Sequence, residues 1–223
     1  MRTGKILKAV ILALMTAGVL TGCTVGEKPV KPISTTAVST AESIDLKTEY
    51  SGIMDANRFK VISSDELSDL LDHGTAVIYL GFPECPWCQA YMPMLETAAG
   101  IADIKVNYYN IYKDKTGNRK FYDKIAKKIA DLDGDIINYD NDGKYRIMMP
   151  LVLAVNQGSL VGYDNETSSL SAKKISPDDY WTDEKKEALI LKLSDSFSKV
   201  KSAQDSNDTG CVADAGACKL GSD

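Results

Sequence analysis

The stretch Ala76-Val77-Ile78-Tyr79-Leu80-Gly81-Phe82-Pro83-Glu84-Cys85-Pro86-Trp87-Cys88 decides the fold. Ala76 to Gly81 is a continuous apolar run without alternation, as expected of a central strand buried on both faces. Two cysteines follow directly and open a helix that runs to about Ala99. Pro86 suits the first helical position, where no N–H is needed. Cys85 then becomes the N-cap residue, with the N–H groups of Trp87 and Cys88 directed at its sulfur. Those donors and the positive helix end favour a thiolate. Cys85 is therefore expected to be the attacking nucleophile and the better leaving group. Cys88, one turn inside, is expected to be the buried resolving thiol. A static disulfide stapling strand to helix is the alternative, although the spacing strains a purely structural bridge. Trp87 reads either as a substrate platform or as a packing residue of the motif.

Working outward, Phe59-Lys60-Val61-Ile62 is a short strand. Ser63 and Glu66 fit a capping box at the start of a helix that carries Leu67, Leu70 and Leu71 and closes at Gly74. Ile104 to Ile111 predicts a strand, and Gly117 to about Leu132 a helix with Phe121, Ile125 and Ile129 on one face. Leu151–Val155 and Ser159–Tyr163 predict a hairpin around Asn156-Gln157-Gly158. A last helix is expected from Asp183 to about Val200, with Thr182 as N-cap. The order β-α-β-α-β-α-β-β-α predicts an α/β fold, a central mixed sheet flanked by helices. Its early crossovers are parallel and its late edge antiparallel.

Met148-Met149-Pro150 opens the strand at Leu151. Together with Ala76–Cys88 it resembles the thioredoxin-like superfamily over roughly residues 53–200. The resemblance implies a thioredoxin-like fold, a Cys85–Cys88 redox pair and a cis bond at Pro150 packed beside it. It also implies that Met149 offers backbone groups to a substrate chain, so that Pro86, Trp87, Met149 and Pro150 form the substrate-binding set. The implied activity is thiol–disulfide exchange on exported proteins or peptides, with a separate redox partner and no cofactor.

Some positions depart from the pattern. Glu84 replaces the tryptophan that precedes the first cysteine in thioredoxins, and Pro86-Trp87 replaces Gly-Pro. Proline with an aromatic between the cysteines looks more like glutaredoxins or the periplasmic disulfide-oxidising proteins. Tyr79 stands where thioredoxins place a buried aspartate, which leaves Glu84 or water to serve Cys88. The connection to Pro150 is longer and includes the acidic stretch Asp131 to Asp142. The motif leaves reductase, oxidase and isomerase open, because dithiol potentials span several kcal/mol in exchange equilibrium. Two other classes compete. One is a non-enzymatic thioredoxin-like accessory lipoprotein for a transporter or secreted bacteriocin. The other is a zinc-holding or metal-delivery module.

The N-terminus sets the expected compartment. Arg2, Lys5 and Lys8 precede an apolar run from Ala9 to Leu20, too short to span a bilayer comfortably. Leu20-Thr21-Gly22-Cys23 resembles a bacterial lipobox, which implies lipidation at Cys23 and an anchor on the extracytoplasmic face of the membrane. The organisation expected is a signal segment 1–22, an anchored linker 23–52, a domain 53–200 and a mobile tail 201–223. The last third of the linker is expected to add a strand or helix to the domain. The 223 residues carry a formal charge of -5, which argues against nucleic-acid binding. The lipid must then do the anchoring, and a monomer is expected.

Five cysteines leave an odd count, which assigning Cys23 to lipid resolves. Cys211 and Cys218 then form an even remainder. They read as a local disulfide, as a tethered relay dithiol that exchanges with Cys85–Cys88, or as half of a four-thiolate zinc site. Asn138 to Gly143 partly matches a calcium loop but lacks the closing glutamate, since Met149 stands there, so an acidic solvated insertion and no metal is expected. His73 is the only histidine and is expected to sit at a helix end.

Overall fold

A computed structural model describes residues 45–170 and 174–213, the last six of these by backbone alone. The signal segment 1–22, Cys23 and Cys218 lie outside the described residues, as does the side chain of Cys211. Along the chain run α1 (Leu46–Glu49), β1 (Phe59–Val61), α2 (Ser64–His73), β2 (Ala76–Leu80), α3 (Pro86–Ile101) and β3 (Val106–Tyr109). Then come α4 (Tyr112–Gly117), α5 (Arg119–Leu132), β4 (Asn138–Tyr139), β5 (Tyr145–Arg146), β6 (Leu151–Asn156), β7 (Ser159–Asp164), α6 (Pro177–Tyr180) and α7 (Asp183–Ala213).

Five strands form a mixed sheet in the order β1-β3-β2-β6-β7. β1 and β2 both pair parallel to β3, while β6 pairs antiparallel to β2 and β7. The α/β class with a mixed sheet flanked by helices is as the sequence indicates. β2 is buried along its whole length. Its side chains alternate between two cores: Val77 and Tyr79 face α3 and α7, whereas Ala76, Ile78 and Leu80 face α2 and α5. Burial on both faces is what removes polar alternation from the strand.

Local chemistry starts and stops the elements. Ser63 Oγ accepts the Glu66 N–H at 3.2 Å and Glu66 Oε2 accepts the Ser63 N–H at 2.8 Å, closing the capping box of α2. The hairpin between β6 and β7 turns at Gln157 and Gly158, with φ of 49° and 71°. That left-handed turn matches the twist of the flanking strands.

Several expectations are corrected. The helix expected from Gly117 to Leu132 is α5, which starts two residues later at Arg119, and a short unexpected helix, α4, precedes it; Asn118 ends α4 and caps α5 by accepting the Phe121 N–H at 3.2 Å. The strand expected over Ile104–Ile111 is confined to Val106–Tyr109. The acidic insertion contains the small β4–β5 ribbon. There Asp140 accepts the N–H groups of Asp142 and Lys144 at 3.0 and 2.8 Å, so its carboxylate closes a turn. The last helix does not stop at Val200 but continues to Ala213, so the mobile tail expected from Lys201 is helical through that residue. Lys199–Asp195 and Lys201–Asp205 pairs one turn apart support the extension, and Gln204 Nε2 donates to the Thr75 carbonyl at 2.8 Å. At the other end the linker contributes α1, with Leu46 and Tyr50 buried in the core.

Candidate functional site

Cys85 leaves β2 through the short loop Gly81–Glu84 and caps α3. Its backbone is extended, with φ -86° and ψ 114°, and its sulfur accepts the Cys88 N–H at 3.2 Å. Pro86 is at the first helical position. Cys88 is fully buried, whereas Cys85 keeps 8% of its surface exposed, so only one sulfur meets a partner. Both are thiols in this structure.

The two sulfurs are polarised in opposite senses. A hydrogen bond from the Cys88 thiol, aided by the backbone N–H groups of Cys88 and Trp87, outweighs burial and brings Cys85 down to about 7. Burial pushes Cys88 far up, and the neighbouring Cys85 thiolate adds to that. Above about pH 7 the pair is therefore one thiolate and one thiol joined by a hydrogen bond, which is the state required of a nucleophile and its resolving partner.

The second cluster reaches the site through the sheet. Leu80 pairs with Leu151, so Pro150 lies at the strand end from which the cysteine loop departs. The Met149–Pro150 bond is cis, and half-buried Met149 packs against the core that includes Cys85 and Cys88. Cys85, Cys88, Pro86, Trp87, Met149 and Pro150 thus gather at one pole of the sheet. Trp87 serves packing at least, standing edge-on to Tyr180 at 5.6 Å between ring centroids.

Several participants carry no sequence signal. Phe82, in the loop that leads to Cys85, stacks on the exposed ring of Tyr112 at 4.2 Å and adds an aromatic pair to the pole. Beside Cys85 opens a cleft of about 570 Å³, lined by Glu84, Pro86, Gln89, Pro93, Pro177 and Asp178. Glu84 is on the surface of this cleft, whereas Cys88 is buried. Beneath the dithiol lies a buried tyrosine cluster: Tyr79 stacks on Tyr91 at 6.1 Å and tilts against Tyr108 at 6.0 Å, and Tyr50 Oη donates to Tyr108 Oη at 3.3 Å. Tyr91 donates to buried Asp164 at 2.9 Å, and Lys192 Nζ also reaches that carboxylate, at 2.6 Å.

No family model, curated protein or solved structure matches this chain.

His73 stands apart from the pole; it is exposed and pairs with Asp69 at 3.5 Å in the last turn of α2. Among the described residues, no three His, Cys, Asp or Glu side chains converge into a metal-holding group. Among the same residues, no helix is long and apolar enough to cross a membrane. The lipidation expected at Cys23 and the pairing expected for Cys211 and Cys218 fall outside the described side chains.

Proposed function

We propose that this protein is a thiol–disulfide oxidoreductase of thioredoxin-like fold, acting through Cys85 and Cys88 on exported proteins or peptides. Its proposed location is the extracytoplasmic membrane face, held by lipid on Cys23. The observation that carries the activity is the unequal pair: an N-cap sulfur brought to about 7 beside a buried thiol pushed far up. Such a pair attacks a substrate disulfide at Cys85 and closes on itself through Cys88. Support for the fold comes from the strand order, with Pro150 at the pole of the sheet from which the cysteine loop departs. The aromatic rim of Phe82, Trp87 and Tyr112 supports a polypeptide substrate, because such rings bury large area at low entropic cost.

Reduction of insulin disulfides by the full chain, with dithiothreitol as reductant, tests the activity. Wild type is expected to accelerate precipitation of the insulin B chain, and Cys85→Ser to give only the uncatalysed rate. Wild type at background, or equal rates for the two proteins, would remove the proposal.

A further inference from the structure

The cleft beside Cys85 has a chemistry that selects what fills it. Glu84 and Pro86, the residues on either side of Cys85, both line it, so it begins within one residue of the reactive sulfur. Its walls are apolar and stiff, made by Pro86, Ala90, Pro93 and Pro177. Gly52 closes against Pro93 so tightly that a Cβ at position 52 would lie 2.5 Å from the Pro93 Cγ. Two exposed carboxylates, Glu84 and Asp178, stand in this apolar frame, and no basic side chain shares it. Neither carboxylate makes an ion pair among the described residues. Lys185 and Lys115, which sit over the rings of Tyr180 and Tyr112 at 3.7 and 5.9 Å, are outside the lining.

The backbone adds an acceptor of its own. Pro93 lies inside α3 and has no N–H, so the Gln89 carbonyl lacks its ordinary helical donor, and both residues line the cleft. The Gln89 carboxamide is turned away to the Glu49 and Pro83 carbonyls and the Ser51 N–H, and supplies no competing donor. Proline walls, two unpaired carboxylates and a carbonyl without its donor together suit a group that is cationic, rich in N–H and carried on an aliphatic stem.

Resting on the reading of Cys85 and Cys88 as an exchanging dithiol, we propose that the cleft receives an arginine or lysine side chain flanking the substrate cysteine under attack, so that the preferred substrates are cationic, disulfide-bearing polypeptides. The stem lies along the proline rings, and the charged head meets Glu84 and Asp178. An acidic residue at the same place would face both carboxylates and is rejected. With the basic side chain seated, the Cys85 thiolate attacks the adjacent substrate sulfur. That S–S bond forms, the substrate S–S bond breaks, and the far substrate sulfur leaves as a thiolate that takes a proton from water. Cys88 then yields its proton to water and bonds to Cys85, which releases the near substrate sulfur as a second thiolate. The dithiol loses two electrons and the substrate disulfide gains them.

The test uses the reduced full chain and three short peptides whose cysteine is disulfide-bonded to 2-nitro-5-thiobenzoate and flanked by arginine, norleucine or glutamate. Release of the coloured thiolate gives a second-order rate, and each rate is divided by that of the same peptide with 2-mercaptoethanol to remove its intrinsic reactivity. Wild type is expected to prefer the arginine peptide to the glutamate peptide by roughly tenfold at low salt, with norleucine between them and the preference shrinking at about 0.5 M salt. Glu84→Gln with Asp178→Asn is expected to bring the arginine-to-norleucine ratio close to one; the thiolate content of Cys85 cancels in that ratio. Asp131→Asn with Asp133→Asn removes the same charge at the end of α5, which packs on the other core, and is expected to leave the ratio at its wild-type value. A wild type indifferent to the flanking charge overturns the proposal, as does a ratio that survives loss of both cleft carboxylates. Equal loss in the α5 pair also overturns it, by assigning the preference to the overall field. A wild type no faster than Cys85→Ser with all three peptides overturns the dithiol reading itself.

Discussion

Cys85 and Cys88 are one helical turn apart, yet their surroundings pull their protons in opposite directions. Cys85 takes donors from the helix end and from its neighbour, whereas Cys88 is sealed in apolar surroundings. Because the Cys88 thiol is the largest cause of the lowering at Cys85, Cys88→Ala should move the Cys85 midpoint upward from about 7 toward the ordinary thiol value. Iodoacetamide alkylation rates against pH measure this directly, and an unmoved midpoint would contradict it. Linkage fixes the sign for stability. A folded value below that of an unfolded thiol, ordinarily about 8.5, gives the reduced protein a contribution that is complete above the unfolded value. That contribution is lost as pH falls through about 7. At this scale the sequence is informative where chemistry is local. Cysteine spacing, Pro86 and Met149-Pro150 are legible because the cap, the first helical position and the strand start each depend on adjacent residues. The buried tyrosine cluster is not legible, since Tyr79, Tyr91 and Tyr108 come from three elements that meet only in the fold.

At the scale of elements, the hairpin between β6 and β7 is fastened to the C-terminal end of α2 and the Thr75 that follows it, with Gly158 making the closest approach. Gly158 donates its N–H to the Gly74 carbonyl at 2.9 Å, and a Cβ there would lie 2.1 Å from the Asp72 carbonyl oxygen. Its φ of 71° independently disfavours any L side chain. Gly158→Ala is therefore expected to destabilise the protein by at least ~2 kcal/mol, from left-handed strain plus displacement of the α2 terminus. Urea unfolding measures it, and a change of a few tenths of a kcal/mol would mean that the hairpin moves away at little cost. The Asn156-Gln157-Gly158 turn and the Ser63–Glu66 box are legible because turn and cap chemistry is written within four residues. The N-cap asparagine at Asn118 is the same type of signal, and the spacing of Phe121, Ile125 and Ile129 begins just after it; α4, in front of it, buries no residue and so leaves no apolar period to read. The extension of α7 has no apolar stripe to announce it. Serines there return their hydroxyls to the carbonyl one turn back, as Ser202 does to Ser198 and Ser206 to Ser202, each at 2.8 Å.

For the whole molecule, the direction of α7 matters most. It starts just after Tyr180 and Trp181, which touch Trp87 and Tyr91 at the cysteine pole. It reaches Thr75, at the opposite end of β2, by Gln204. β2 separates those ends by about 17 Å, and the backbone of Cys211 lies about 10 Å farther along the helix. A relay within one molecule between Cys211–Cys218 and Cys85–Cys88 would have to fold back over the length of the sheet. The chain with Cys211→Ser and Cys218→Ser is accordingly expected to match wild type in insulin turnover. A several-fold loss would show that the C-terminal pair does reach the site.

Gln89 gives the molecule a mechanical property. Its amide nitrogen holds both the Glu49 carbonyl, where the chain comes in, and the Pro83 carbonyl, in the loop that presents Cys85, at 2.8 and 2.7 Å. Its oxygen takes the Ser51 N–H at 3.4 Å. One side chain thus ties the N-terminal segment to the loop beside the reactive sulfur, in parallel with the buried Leu46 and Tyr50 and with the Glu96 carboxylate that accepts the Met54 N–H. Position 89 therefore joins the entry of the chain and the cysteine loop into one stiff corner.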